Sequence, residues 1–322
     1  EADEADSGVT VTTGSEALDV RVGDGANTIT GTAGDDTITT GSGADTIVSY
    51  AGDDTIEAGD GVNTITVTDG ENDIDGGEGV DTITAGNGNN TIDGGDGADV
   101  IVSGTGNNTF TNSAGNATIT AGTGNNTVTN TAGNSTITLG NGTNTVNLTA
   151  GNSTVVTGSG ADDINITAGN NDITAGAGND TISLGSGNDT VDGGTGTDAV
   201  DFSIARGTWA GTITDAETVT ATYTGSATID ATSLTGYATL NVTASGSTSA
   251  TTLKNIGDAT INLTDDSVEG GGDGDIEAMT IDTTDDATIT VNLGANQEAT
   301  TAVAADLASL AITDAATVTL KA

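Results

Sequence analysis

The chain has no cysteine, no histidine and no proline in 322 residues. Without cysteine there is no disulfide framework and no thiol chemistry, and without histidine the usual imidazole bases and zinc ligands are missing. Cations are nearly absent too: Arg21, Arg206, Lys254 and Lys321 stand against 47 carboxylates, for a formal charge of -43. That charge repels nucleic acid and anionic membrane surfaces and makes cations the natural partners. Serine hydrolysis, zinc catalysis and phosphoryl transfer all lack their customary groups, so the expectation is a protein that is not an enzyme. No apolar stretch approaches the roughly 18 residues of a membrane helix, so no membrane insertion is expected. The chain opens on Glu1 rather than Met, so a removed export signal would lie outside this reading. Acidity with few lysines also suits a protein bathed in high salt.

What is present is a count of nine. From Val11 to Val200 every ninth residue is apolar, 22 times in succession, without insertion or deletion. Four residues before each of these positions from Ile29 to Val200 stands a glycine. The unit reads approximately Gly-x-Gly-x-(Asp/Asn)-Thr-Ile-Thr-x, three residues of strand character followed by a polar turn. A fixed period this short marks a solenoid whose coils each bury too little to fold alone. Two units make one flattened coil, so each residue stacks at the strand spacing on its counterpart two units further on. The fold class expected is all-β: a right-handed parallel β-roll, a β-solenoid with two nonapeptides, eighteen positions, to the coil. The expected organisation is an N-terminal cap or extension over 1–22, the roll over 23–200, and an irregular C-terminal β-rich domain over 201–322 for capping, assembly or anchoring.

Three units match a known pattern most fully: Gly76-Gly77-Glu78-Gly79-Val80-Asp81-Thr82-Ile83, Gly94-Gly95-Asp96-Gly97-Ala98-Asp99-Val100-Ile101 and Gly193-Gly194-Thr195-Gly196-Thr197-Asp198-Ala199-Val200. They closely resemble the GGxGxDxUx nonapeptide of RTX proteins, a calcium-binding β-roll family. The resemblance covers 23–200. It implies Ca²⁺ as the cofactor, clasped by the motif aspartates of successive coils and nearby carbonyls.

The ligand position that the resemblance implies lies two residues before each core residue. Aspartate fills it at Asp36, Asp45, Asp54, Asp81, Asp99, Asp162, Asp180, Asp189 and Asp198, and these are the candidate metal ligands. Asn108, Ala117, Asn126, Ser135, Asn144 and Ser153 fill it elsewhere, and no charged residue occurs from Val100 to Ala161. Each edge stacks alternate units, so the candidate pairs are Asp36 with Asp54, Asp81 with Asp99, Asp162 with Asp180, and Asp180 with Asp198. Two carboxylates stacked at strand spacing repel by about 3.5 kcal/mol at an effective dielectric near 20, and a divalent ion between them reverses the sign. An asparagine amide instead donates to the next one up the stack, which predicts a calcium-independent central third. The affinity expected for such sites is of the weak extracellular kind, roughly 10⁻⁴ to 10⁻³ M.

On one edge Ser113, Thr131, Thr149 and Thr167 replace a turn glycine. This hydroxyl row reads first as a metal-free polar ladder and second as a contact surface for a neighbouring subunit, a glycan or ice. The segments 104–108 and 122–126 are similar to the Thr and Asn rows of an ice-binding RTX module.

After Val200 the count of nine ends, and Phe202 to Trp209 are expected to cap the roll's open end. A looser recurrence follows at equal intervals, in Asp258-Ala259-Thr260-Ile261, Asp286-Ala287-Thr288-Ile289 and Asp314-Ala315-Ala316-Thr317-Val318. The region reads as a second β-helix-like stack or a sandwich, with a helical turn near Ala302 to Leu310. The acidic run from Asp265 to Glu277 reads as a surface loop rather than a further calcium site. The Ala- and Thr-rich strands resemble portions of bacterial crystalline surface-layer proteins.

Together these features point to an extracellular, secreted or cell-surface structural protein stabilised by calcium. Self-association into a surface layer or filament is the leading expectation. The alternative is a calcium-rigidified adhesin or stalk presenting a surface- or glycan-binding domain.

Overall fold

The computed structural model describes residues 10–12, 16–204, 207–244, 251–265, 279–284, 287–293, 310–313 and 317–321. The acidic run beyond Asp265 and the helical turn expected over 302–309 lie outside these residues. The chain divides into two compact units, Glu1–Asp172 and Ile173–Ala322.

In the first unit the nonapeptide rows become two parallel sheets. One holds Thr28–Thr30, Thr46–Ala51, Thr64–Asp69, Thr82–Ala85, Val100–Ser103, Thr118–Ala121 and Thr136–Leu139; the other holds Thr37–Thr39, Thr55–Glu57, Asp73–Asp75, Thr91–Asp93, Thr109–Asn112, Thr127–Asn130 and Thr145–Leu148. Pairing follows the expected step of two nonapeptides: Ile65 meets Ile83, which meets Ile101, while Ile74 meets Ile92, which meets Phe110. The Ile row alternates inward with threonine outward, so Ile65, Ile83, Ile101 and Phe110 are fully buried between the sheets. The N-terminal segment already belongs to this ladder, with Asp19–Arg21 paired to Thr37–Thr39 and Thr10–Thr12 paired to Thr28–Thr30.

Glycine recurs because each turn lies on the one beneath it. Gly106 has φ 140°, and a β-carbon there would come within 1.9 Å of the Gly88 carbonyl oxygen. Only glycine accepts both the conformation and the contact.

The two sheets differ in what they show to solvent. Over residues 28–156 the residues flanking the core position on the first sheet are Thr28 and Thr30, Thr46 and Val48, Thr64 and Thr66, Thr82 and Thr84, Val100 and Val102, Thr118 and Thr120, Thr136 and Thr138, and Thr154 and Val156. None of these is charged, and the first charged residue in such a place on this sheet is Asp172, on the next strand. The second sheet carries Asp19, Arg21, Glu57, Asp73, Asp75, Asp93 and Asp163 in the equivalent places. Glu57, Asp75 and Asp93 stand side by side in one column.

In the second unit the parallel ladder continues past Val200. Ala199–Ile204 pairs with Thr181–Ser186 on one side and Thr218–Tyr223 on the other, so Phe202 and Ile204 occupy an internal rung rather than a cap. Val200, Val219, Leu240, Ile261, Val291 and Leu320 stand in register, at intervals that are unequal and all longer than the coil of the nonapeptide roll. Of the two readings left open for this region, the β-helix-like stack is the one found. A separate parallel sheet of Gly207–Thr208, Ala227–Asp230, Thr251–Ile256, Met279–Thr283 and Leu310–Thr313 forms as the coils lengthen. The recurrence that starts at Asp258 and Asp286 does not set the register, because Ile261 lies beside Val291 and not Ile289. A shift of two residues keeps the same faces inward, so burial alone does not select between the two alignments.

Candidate metal centre

The residue two before each core position turns inward and is almost wholly enclosed. Asp81 and Asp99 are 0% exposed, and Asp36, Asp45, Asp54, Asp162, Asp180, Asp189 and Asp198 are no more than 2% exposed. Its first task is structural. Oδ1 accepts the main-chain N–H of the corresponding residue one coil earlier: Asp36 from Leu18, Asp45 from Asn27, Asp54 from Asp36, Asp81 from Asn63, Asp99 from Asp81 and Asp198 from Asp180, at 2.7 to 2.9 Å. These N–H groups have no partner in the strand ladder, so the side chain caps them. Asparagine does the same at Asn72, Asn90, Asn108, Asn126 and Asn144, and serine at Ser135 and Ser153.

What differs between rungs is the other side-chain atom. Asparagine spends its amide protons on the turn carbonyls beneath it: Asn90 on Gly86 and Gly88, Asn126 on Gly122 and Gly124, and Asn144 on Gly140 and Gly142, at 2.9 to 3.3 Å. It also reaches the next rung, so Asn72, Asn90, Asn108, Asn126 and Asn144 form the expected amide ladder. An ionised aspartate has no proton for those carbonyls. Among the described residues, Oδ2 of Asp45, Asp81, Asp99 and Asp198 is buried without a hydrogen-bond partner, a costly state for a carboxylate oxygen.

The expected pairs are therefore not alike. At Asp36 and Asp54 the protein supplies its own donors: the Thr32 N–H and hydroxyl reach Asp36 at 2.7 and 2.9 Å, and the Ser49 hydroxyl, with one proton, stands 2.5 Å from Asp54 Oδ2 and 3.3 Å from Asp36 Oδ2. At Asp81 and Asp99 no such donor is found among the described residues. In the second unit Asp198 has a stranded Oδ2, and the main-chain N–H of Asp198 is capped by Glu217 Oε2 at 2.7 Å. Asp162 lies in the first unit and Asp180 in the second. Asp45 sits between the asparagine rungs Asn27 and Asn63 and pairs with no second carboxylate. Asp189 is buried, five residues after Leu184.

Electrostatics follow this division. Burial, reinforced by the charges of Asp99 and Asp75, pushes the Asp81 carboxyl up to about 6 against the pull of the Asn63 N–H. Burial also raises Asp99, with Asp93 and Asp96 adding, and raises Asp198, with Glu217 and Asp192 adding. Asp54 is raised by burial even though Ser49 opposes the shift.

The residue five before each rung decides how much room the turn leaves. It is Gly76 before Asp81, Gly94 before Asp99 and Gly193 before Asp198, but Val67 before Asn72 and Leu139 before Asn144. A β-carbon on Gly76 would lie 2.8 Å from Asp81 Oδ2 and 3.0 Å from the Gly94 carbonyl oxygen. Glycine thus keeps a hollow bordered by oxygens, whereas Val67 and Leu139 fill theirs with buried carbon. Glycine also stands five before Asp36, but Thr40, Ser49, Thr157, Ala175 and Leu184 stand there before Asp45, Asp54, Asp162, Asp180 and Asp189, so an aspartate rung does not by itself bring this glycine with it.

These residues fit Ca²⁺, a hard cation taking six to eight oxygens from carboxylates and carbonyls. Among the described residues no three acidic side chains converge on one point, so an ion would draw one or two carboxylates and complete its shell from backbone. Asp45, Asp81, Asp99 and Asp198 are the residues whose stranded oxygens would hold it, Asp45 as a lone carboxylate. Bound Ca²⁺ would supply the positive charge that these enclosed carboxylates lack.

No curated protein and no solved structure matches the chain. The sequence model of the RTX calcium-binding nonapeptide repeat matches residues 21–56, 48–83, 75–110, 113–137, 120–155, 138–165 and 166–200. With the nonapeptide ladder, the turn glycines and the enclosed aspartate rungs all in place, the chain belongs to the RTX calcium-binding nonapeptide-repeat family.

Proposed function

We propose that the chain is an extracellular structural protein, rigidified by Ca²⁺, that acts as a self-assembling subunit of a surface layer or filament rather than as an enzyme. The observation that carries this reading is the difference between its two sheet faces. A chain with net charge -43 repels its own copies wherever carboxylates meet. The outward threonine and valine columns of the first sheet, from Thr28 to Val156, offer a long uncharged strip where that repulsion is least. Exposed Val100 and Val102 lie within the strip, each 40% exposed, and add apolar area to it. The hydroxyl row of Ser113, Thr131, Thr149 and Thr167 is exposed as well. Calcium at the aspartate turns would link rigidity, and hence assembly, to the high free Ca²⁺ of an external medium.

Negative-stain microscopy of the purified chain in millimolar Ca²⁺ and in chelator tests this reading. Sheets or fibres that form with Ca²⁺ and are blocked by Thr120→Glu and Thr138→Glu support it. Particles that stay monomeric while binding a surface glycan would favour an adhesin or stalk instead.

A further inference from the structure

Asn112 stands outside the ligand position of the nonapeptide, five residues before Ala117 on the second sheet. Its side chain is fully buried. Nδ2 donates to the Ala114 carbonyl at 3.2 Å and to Asn130 Oδ1 at 3.1 Å. Both partners are acceptors, so the amide is held one way round; turning it would lose both bonds and set oxygen against oxygen. Asn130 Oδ1 is thereby satisfied. The oxygen of Asn112 would need a donor at position 94 in the same column, and that residue is glycine. Asn112 Oδ1 is accordingly buried with no hydrogen-bond partner among the described residues.

Asp99 borders the same hollow. A β-carbon on Gly94 would lie 2.9 Å from Asp99 Oδ2 and 3.0 Å from Asn112 Oδ1. Two enclosed acceptor oxygens, one of them charged, therefore flank a space to which neither contributes a proton. The chain shows how it closes such a space without an ion. Ser49 stands thirteen positions after Asp36, as Asn112 does after Asp99, and its one hydroxyl proton lies between Asp36 Oδ2 and Asp54 Oδ2, at 3.3 and 2.5 Å, while the Thr32 N–H also serves Asp36 Oδ2. At Asp99 the corresponding residue presents a fixed carbonyl oxygen instead.

We propose that Asp99 Oδ2 and Asn112 Oδ1 are ligands of one Ca²⁺, bound where the aspartate rungs of this edge give way to Ala117 and the serine rungs Ser135 and Ser153. The proposal rests on the reading that aspartate turns take calcium, and it adds a ligand that the repeat motif does not contain. A neutral amide oxygen beside a carboxylate is an ordinary hard-ligand combination for this ion. The site would also end the amide ladder that begins at Asn130, by giving its last open acceptor a positive partner.

The test is calcium stoichiometry by equilibrium dialysis on the full chain, with thermal melting followed by circular dichroism in Ca²⁺ and in EDTA. Asn112→Ser places a donor where Ser49 has one, so it should bind one ion fewer and show a smaller gap between the two melting temperatures. Asn112→Asp keeps the oxygen and adds charge, so its calcium midpoint should fall roughly tenfold. If the serine variant does not fold, the midpoint of the aspartate variant decides. Unchanged stoichiometry together with an unchanged midpoint overturns the assignment of Asn112 while leaving calcium binding by the other turns intact. A parent chain that binds no Ca²⁺ and melts identically in both media overturns the underlying reading as well.

Discussion

The main-chain N–H of Asp81 donates to Oδ1 of Asp99 at 2.9 Å, joining two acidic residues of successive coils through the backbone of one and the carboxylate of the other. Each aspartate rung thus has a structural oxygen and a second oxygen whose needs depend on the turn around it. Removing the charge and removing the side chain are therefore different experiments.

Asp81→Asn keeps the acceptor for the Asn63 N–H and adds protons that can reach the turn carbonyls. In EDTA this variant should melt several degrees above the parent, and the gain from calcium should shrink. Asp81→Ala strands the Asn63 N–H, which should cost about 1–3 kcal/mol in EDTA, and it removes the metal ligand as well, so the loss should be larger in Ca²⁺. Scanning calorimetry with and without chelator separates the two, and an asparagine variant that melts as low as the alanine one in EDTA would sink the argument.

Asn126 offers the converse. Asn126→Asp withdraws two amide donors from Gly122 and Gly124 and encloses a new charge, so the central segment should become sensitive to chelator. Asn126→Ala removes the cap on the Asn108 N–H and should cost about 1–3 kcal/mol in both media, without moving the calcium midpoint. A shifted midpoint in the alanine variant would contradict an ion-free centre.

Asp81 also sets a pH dependence. Its carboxyl is raised in the folded chain to about 6 from an ordinary value of 3.8, so the protonated form is the one the fold prefers. The associated stability is fully present below the unfolded value and is lost as pH rises through about 6. In EDTA the melting temperature should therefore be higher at pH 5 than at pH 7, and Asp81→Asn should flatten part of that slope. Millimolar Ca²⁺ should oppose the trend, because the ionised carboxylate is the form that binds metal. A chelated chain that gains stability from pH 5 to pH 7 would refute this.

Gly211 tests the coils beyond the repeats. The rings of Phe202 and Trp209 stack at 4.4 Å, and a β-carbon on Gly211 would come within 2.2 Å of Trp209 Cζ2 and 2.4 Å of the Asp189 carbonyl oxygen. Gly211→Ala should destabilise the second unit by about 1–3 kcal/mol. Fluorescence of the single tryptophan should report an earlier transition, and an unchanged one would show that this packing tolerates displacement.

Much of the first unit is legible in advance because one constraint repeats unchanged. Ile83 and Ile101 must both face inward, and the coil between them is always two nonapeptides long. The asparagine ladder is equally legible, since an amide donates and accepts along its own column. The unequal aspartate pairs are not. Whether a carboxylate is stranded depends on Ser49, Gly76, Gly94 or Asn112, residues five positions before or thirteen after it, which meet it only across a turn. The continuation beyond Val200 is hidden for a different reason. Coils of unequal length keep a parallel ladder through Val219, Leu240 and Ile261 without any constant period to betray it.

By itself, then, the order of residues determined the winding: one apolar side chain and one turn glycine in each nine admit a narrow parallel coil and little else. The tertiary structure decided which carboxylates keep an oxygen without a proton donor, and which face of the coil stays uncharged. Both are properties of neighbouring columns, created when the turns stack, and hydrogen bonding between columns has no signature along a single row.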